Sequence, residues 1–137
     1  MQITKQIVNN LSYKIVRCAI EVHKQLGPGL LESVYETCFI EELKSQGLKA
    51  ERQVPVPIYY KDKDLGTNLI IDVLVNDLII VELKAVDIMI PVFKAQLLSY
   101  LKLTGKPKGL LINFHCENIK DHLVPLVTEV FSKLPES

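Results

Sequence analysis

The sequence has no excess charge, few cysteines and no long apolar run, and each lack argues against a class of protein. Sixteen Lys and Arg balance 16 Asp and Glu over 137 residues, so bulk electrostatics draw the chain to neither nucleic acid nor an anionic membrane. Only a local basic groove would do so. The 3 cysteines, Cys18, Cys38 and Cys116, are odd in number and lack C-x-x-C spacing. They read as core thiols in a reducing compartment and argue against a disulfide framework or a zinc ribbon. No segment reaches the roughly 18 uncharged apolar residues of a membrane span, and the opening MQITKQIVNNLSYKIV lacks the continuous apolar core of a secretory leader. A cytoplasmic protein without membrane association is expected. Repeats, linkers and low-complexity tracts are missing too, so the length and the 48% hydrophobic content suit one domain over residues 1–137. Such a chain buries about two-thirds of its unfolded surface.

What is present is a succession of hydrophobic periods. Ile7, Leu11, Ile15, Ala19, Val22 and Leu26 recur at intervals of three and four, which predicts an amphipathic helix over about 4–26, stopped by Gly27-Pro28-Gly29. Leu31, Val34, Tyr35, Cys38, Phe39 and Leu43 give a second helix its buried stripe, with Gly47 at its C-terminal end. From 49 to 60 the pattern is that of a strand. Pro55 and Pro57 assign it to a sheet edge, because neither has an N–H to give a ladder. KDKDLG is the turn after it, and 69–75 and 78–86 are two apolar strands joined around Asn76-Asp77. Pro91 opens a third helix that runs to about Thr104 and closes at Gly105. Residues 108–114 form a fourth strand, and 119–134 reads as a last helix with Pro125 near its start. Central strands that are apolar on both faces need cover on both, so the expected fold is a three-layer α/β domain.

One stretch conflicts with its surroundings: IIVELKAV, residues 79–86, places Glu82 and Lys84 inside an apolar strand. An ion buried there costs several kcal/mol unless it is paired or holds a metal. Strand alternation sends Glu82 and Lys84 to the face of Ile80, and Val81, Leu83 and Ala85 to the other. Asp72 interrupts the preceding strand between Ile71 and Val73. A strict two-residue turn would pair Asp72 with Val81, whereas a three-residue loop over 76–78, or a bulge, sets it opposite Glu82, which is the expected register. Opposed carboxylates repel and one lysine cannot neutralise both. A magnesium ion can, since it takes oxygen ligands and keeps several waters, leaving positions for a phosphate oxygen and an attacking water. Lys84 could then orient or deprotonate that water, or neutralise charge growing on phosphorus. The structural alternative is a Glu82–Lys84 pair spanning a sheet edge, with Asp72 as a turn residue.

IIDVLV with Asp72 and VELKAV with Glu82 and Lys84 together resemble the signature of the PD-(D/E)XK nuclease superfamily, an acidic residue on one strand followed by [DE]-x-K on the next. GLLESVY, residues 29–35, is similar to the G-x-x-E-x-x-Y motif of a small bacterial family within it, and residues 95–114 resemble that family's following helix and strand. The resemblance implies a restriction-endonuclease-like fold: a central mixed sheet with an αβββαβ core flanked by helices. It also implies a site in which Glu32, Asp72 and Glu82, with the Leu83 carbonyl, hold Mg²⁺ or its substitute Mn²⁺, and Lys84 assists the nucleophile. Gln96 and Tyr100 would be the Q-x-x-x-Y pair that positions substrate or water. Two positions depart from the family pattern: Ile70 stands where an arginine often precedes the aspartate, and Phe93 where a histidine often precedes the glutamine.

The spacings make physical sense without the family, although by themselves Gln96 reads as a solvated helix position and Tyr100 as a half-buried core aromatic. Glu32 and Tyr35 lie on one helical face, and Gln96 and Tyr100 on another. Tyr35 taken alone reads as packing, Gly29 as a tight helix entry, and His23, His115 and His122 as surface or satisfied structural histidines. The function expected is phosphodiester hydrolysis of DNA or RNA by a metal-dependent nuclease. The alternative is a nuclease-fold module that binds nucleic acid or a protein partner without cutting. A homodimer is left open.

Overall fold

The computed structural model describes residues 2–137. Helix α1 (Lys5–Leu26) starts where the Thr4 hydroxyl accepts from the Ile7 N–H at 3.1 Å and stops at Gly27, whose φ of 68° few other residues adopt. Leu11, Ile15, Ala19 and Val22 of the stripe that the sequence period marks are buried, with Val8 in the place expected of Ile7, while Ile7 and Leu26 are half-buried. Helix α2 (Glu32–Ser45) lies against α1 and ends before Gly47, which at φ 77° turns the chain toward the sheet.

The sheet holds β1 (Ala50–Tyr60), β2 (Lys63–Val75), β3 (Ile79–Lys84), β4 (Lys108–Asn113) and β5 (Leu123–Val127), side by side in that order. Every neighbouring pair is antiparallel except β3 and β4, which helix α3 (Pro91–Thr104) links as a crossover. Pro91 occupies the first turn of α3, and Gly105 closes it in the left-handed conformation. α1 and α2 cover one face of the sheet, burying Val73, Val75, Ile79, Val81, Leu83, Leu110 and Ile112 with them. α3 covers the other, burying Leu97, Tyr100 and Leu101 against Ile71, Leu74, Ile80, Leu111 and Leu126. β1 lies at the edge that its two prolines predict. Gly109 on β4 lets α3 approach closely, since a Cβ there would lie 2.9 Å from Leu97.

The expectation for the end of the chain is corrected. In place of a helix over 119–134 there is a 3₁₀ turn (Ile119–His122), then β5, then the single-turn helix α4 (Glu129–Ser132). β4 would otherwise be an open edge; pairing Lys108 with Val127 through to Ile112 with Leu123 closes it. Pro125 forbids a helix interior yet costs nothing on an outermost strand, where it sits opposite Leu110. The turn after β1 is also shorter than expected, Lys61-Asp62 alone, both with positive φ. Among the described residues no helix is long and apolar enough to cross a membrane.

Candidate functional site

The β2–β3 hairpin has the register that the charges require. Val75 pairs with Ile79, Leu74 with Ile80 and Val73 with Val81, around a loop of Asn76, Asp77 and Leu78. The next pair in register is Asp72 with Glu82, and there side chains take over from the ladder. The Asp72 N–H donates to Glu82 Oε2 at 2.8 Å, and the Leu83 N–H donates to Asp72 Oδ2 at 2.9 Å. Each carboxylate is thus fixed by an amide of the opposite strand, a bond worth about 1.5–3 kcal/mol when the acceptor is charged. The N–H and C=O of one residue point to the same side of a strand. The Lys84 carbonyl accepts from Phe114 beyond β4 at 2.9 Å, so the Leu83 carbonyl one step earlier faces β2, toward Asp72.

These groups are short of positive charge. Glu82 is 4% exposed. Burial first, then repulsion from Asp72, pushes its carboxyl up to about 8, against the relief given by the Asp72 N–H and Lys84. Burial also raises Asp72, opposed by the Leu83 N–H, and raises Glu32, with Asp72 adding to the effect. Lys84 favours the charged form of all three acids. Its ammonium sits 4.4 Å from the centre of the Phe93 ring, so the phenylalanine that departs from the family pattern holds the lysine by a cation–π contact.

Two helices deliver the remaining candidates from opposite faces. Glu32 is the first residue of α2, where the positive end of the helix dipole favours an acid. The loop before it is fastened by Tyr35, fully buried and stacked on Phe114 at 4.7 Å, whose hydroxyl donates to the Gly27 carbonyl and accepts from the Leu30 N–H. Tyr35 is therefore structural, as its packing period suggests, and Gly29 makes the tight entry with φ 99°. From α3, Gln96 donates to the Tyr100 hydroxyl at 3.0 Å. Burial and then the Glu82 charge raise the Tyr100 phenol, so it stays protonated and able to donate.

Three contributors escape the sequence motifs. Glu36, one turn beyond Glu32, is buried with its carboxylate accepting from Arg52 Nε at 3.1 Å and from Gln53 Nε2 at 3.1 and 3.0 Å. Gln53, on β1, stands opposite Asp72 in register, and its amide lowers the Asp72 carboxyl. Asn113, also buried, accepts from the Val86 N–H and donates to the Val86 carbonyl, pinning the chain that leaves Glu82 and Lys84. An acid between Tyr35 and Phe39 in a buried helical stripe was the available signal for Glu36. Nothing in the sequence marks Gln53.

Among the described residues no three His, Cys, Asp or Glu side chains close in tightly enough to hold an ion by themselves. The donor set nevertheless suits a magnesium-like ion, which binds through one or two carboxylates and keeps its waters. Asp72 and Glu82 supply paired hard oxygens, and their raised affinity for protons marks a place where positive charge is wanted. The model of the PD-(D/E)XK nuclease superfamily matches residues 9–124. No curated protein and no solved structure gives a match. The mixed five-stranded sheet between helical layers is the restriction-endonuclease-like arrangement of that superfamily.

Proposed function

Because the chain belongs to the PD-(D/E)XK nuclease superfamily, we propose that it is a metal-dependent nuclease of the GxxExxY type that hydrolyses phosphodiester bonds in DNA or RNA. One observation carries the reading: the Glu82 carboxylate is held by the Asp72 N–H and the Asp72 carboxylate by the Leu83 N–H, with the Lys84 ammonium one pleat further along the same face. Asp72, Glu82 and the Leu83 carbonyl would hold Mg²⁺, or Mn²⁺ in its place, with Glu32 joining through water. The bound ion would neutralise the phosphate and make a bound water more acidic.

The chain's own groups do the rest. The Glu82 carboxyl, protonated at neutral pH without a cation, gives up its proton when the site is filled. Lys84 orients the attacking water or balances charge developing on the phosphate oxygens, a contribution of about 10²-fold or more. Tyr100 donates its hydroxyl proton toward substrate or water, its oxygen held by Gln96. A single catalytic domain spanning the chain, in a reducing cytoplasm where Cys18, Cys38 and Cys116 remain thiols, fits these features.

The test is cleavage of labelled single- and double-stranded DNA and RNA with Mg²⁺ or Mn²⁺, beside Glu82→Ala and Lys84→Ala. Metal-dependent cutting lost in both variants supports the reading, and equal traces in all three overturn it. A second reading rests on the zero net charge: a module that binds nucleic acid or a protein partner, or pairs with itself, and does not cut. Nucleic acid retained on wild type and variants alike, without cleavage, would favour it.

A further inference from the structure

Among the described residues, five non-glycine residues have positive φ, and four of them, Lys61, Asp62, Asn76 and Asp77, form the tips of the two hairpins. Gln53 is the fifth, at φ 51° in the middle of β1. A left-handed residue inside a strand is strained, and such strain persists where surrounding contacts enforce it. No residue is inserted, because Arg52 pairs with Val73 and Val54 with Ile71 in one continuous register, with the Gln53–Asp72 pair missing between them. The ribbon turns over at that gap. On one side Ala50, Val73 and Val75 face α1 and α2; on the other Val54, Val56, Leu69 and Ile71 face α3, although alternation would keep all seven on a single face.

The turn-over brings the Gln53 side chain under α2, where its Nε2 donates to both oxygens of Glu36 while Arg52 Nε donates to Oε1. With both oxygens engaged, Glu36 serves as a brace. Asp72, opposite Gln53 in register, has lost its ladder partner on this side and turns its own N–H to Glu82, and the nearby Gln53 amide lowers its carboxyl.

We propose that Gln53 is a positioning residue: its amide, braced by Glu36 and Arg52 and placed by the left-handed kink, aims the Asp72 carboxylate at the Leu83 N–H and at the cation. The cation half of this rests on the proposed nuclease reading, and the Leu83 half does not. Gln53→Gly separates the kink from the amide, since glycine accepts positive φ without strain. In metal-free Gln53→Gly, once any change in global stability is subtracted, the Leu83 amide exchanges with solvent about tenfold faster while the Val81 amide is unchanged. The Mn²⁺ dissociation constant measured by calorimetry rises about 10- to 100-fold, the usual effect of losing a group that orients a ligand. Glu36→Ala weakens Mn²⁺ binding in the same direction. Glu36→Gln, whose amide oxygen still accepts from Gln53 and Arg52, keeps most of the affinity. Wild-type exchange at Leu83 in Gln53→Gly overturns the proposal. Wild type that binds no Mn²⁺ contradicts the nuclease reading instead, and the Leu83 exchange still decides the role of Gln53.

Discussion

Replacing Glu82 by glutamine changes one charge and almost no volume, so its effect on stability isolates the ionisation of this group. In the folded, metal-free protein the carboxyl is raised from 4.5 to about 8, by burial first and Asp72 second. Between those values the folded chain holds a proton that the unfolded chain has released, so stability falls as pH rises. The contribution is fully present below the unfolded value and lost as pH climbs through about 8. At roughly 1.4 kcal/mol per unit, the swing is about 3–5 kcal/mol. Glutamine can still accept the Asp72 N–H and has no proton to lose. Urea unfolding in EDTA from pH 5 to 9 should give curves that coincide within about 1 kcal/mol at the acid end. They should separate by about 3–5 kcal/mol at the alkaline end, with Glu82→Gln the more stable. Curves that stay parallel would show that Glu82 is ionised throughout, and the picture of a site short of positive charge would be wrong.

The same protonation makes metal binding depend on pH: Mn²⁺ calorimetry at pH 7 in buffers of different ionisation enthalpy should register release of about one proton, with affinity tightening as pH rises toward 8. Lys84→Met should leave Mn²⁺ affinity near wild type and lower the cleavage rate by about 10²-fold or more, measured in single turnover. Tyr35→Phe removes the hydroxyl that ties Gly27 to Leu30 and should cost about 1–2 kcal/mol in urea unfolding. Leu97→Ala, at a fully buried contact between α3 and the sheet, should cost about 2–5 kcal/mol by the same assay.

The heart of the site was legible because it depends on alternation and one loop length. Placing Asp72 opposite Glu82 requires a loop of Asn76, Asp77 and Leu78, which is the loop that forms. The order of elements through β4 followed from helical and strand periods and from the stops at Gly27, Gly47 and Gly105. The end of the chain misleads because Leu123, Leu126, Val127 and Val130 also fall at helical intervals. The need of β4 for a partner decides against them, and no local pattern encodes that need. Gln53 and Glu36 were missed for a related reason. Their roles arise where β1 and β2 turn over beneath α2, which joins residues far apart in the chain through a backbone conformation that glutamine seldom adopts.

The most direct test of the central claim is the anomalous difference density of a crystal soaked in Mn²⁺. The account predicts one strong peak in contact with the carboxylates of Asp72 and Glu82 and the Leu83 carbonyl, with Glu32 linked to it through water. Density absent from that position, while the crystal takes up Mn²⁺ elsewhere, would contradict it.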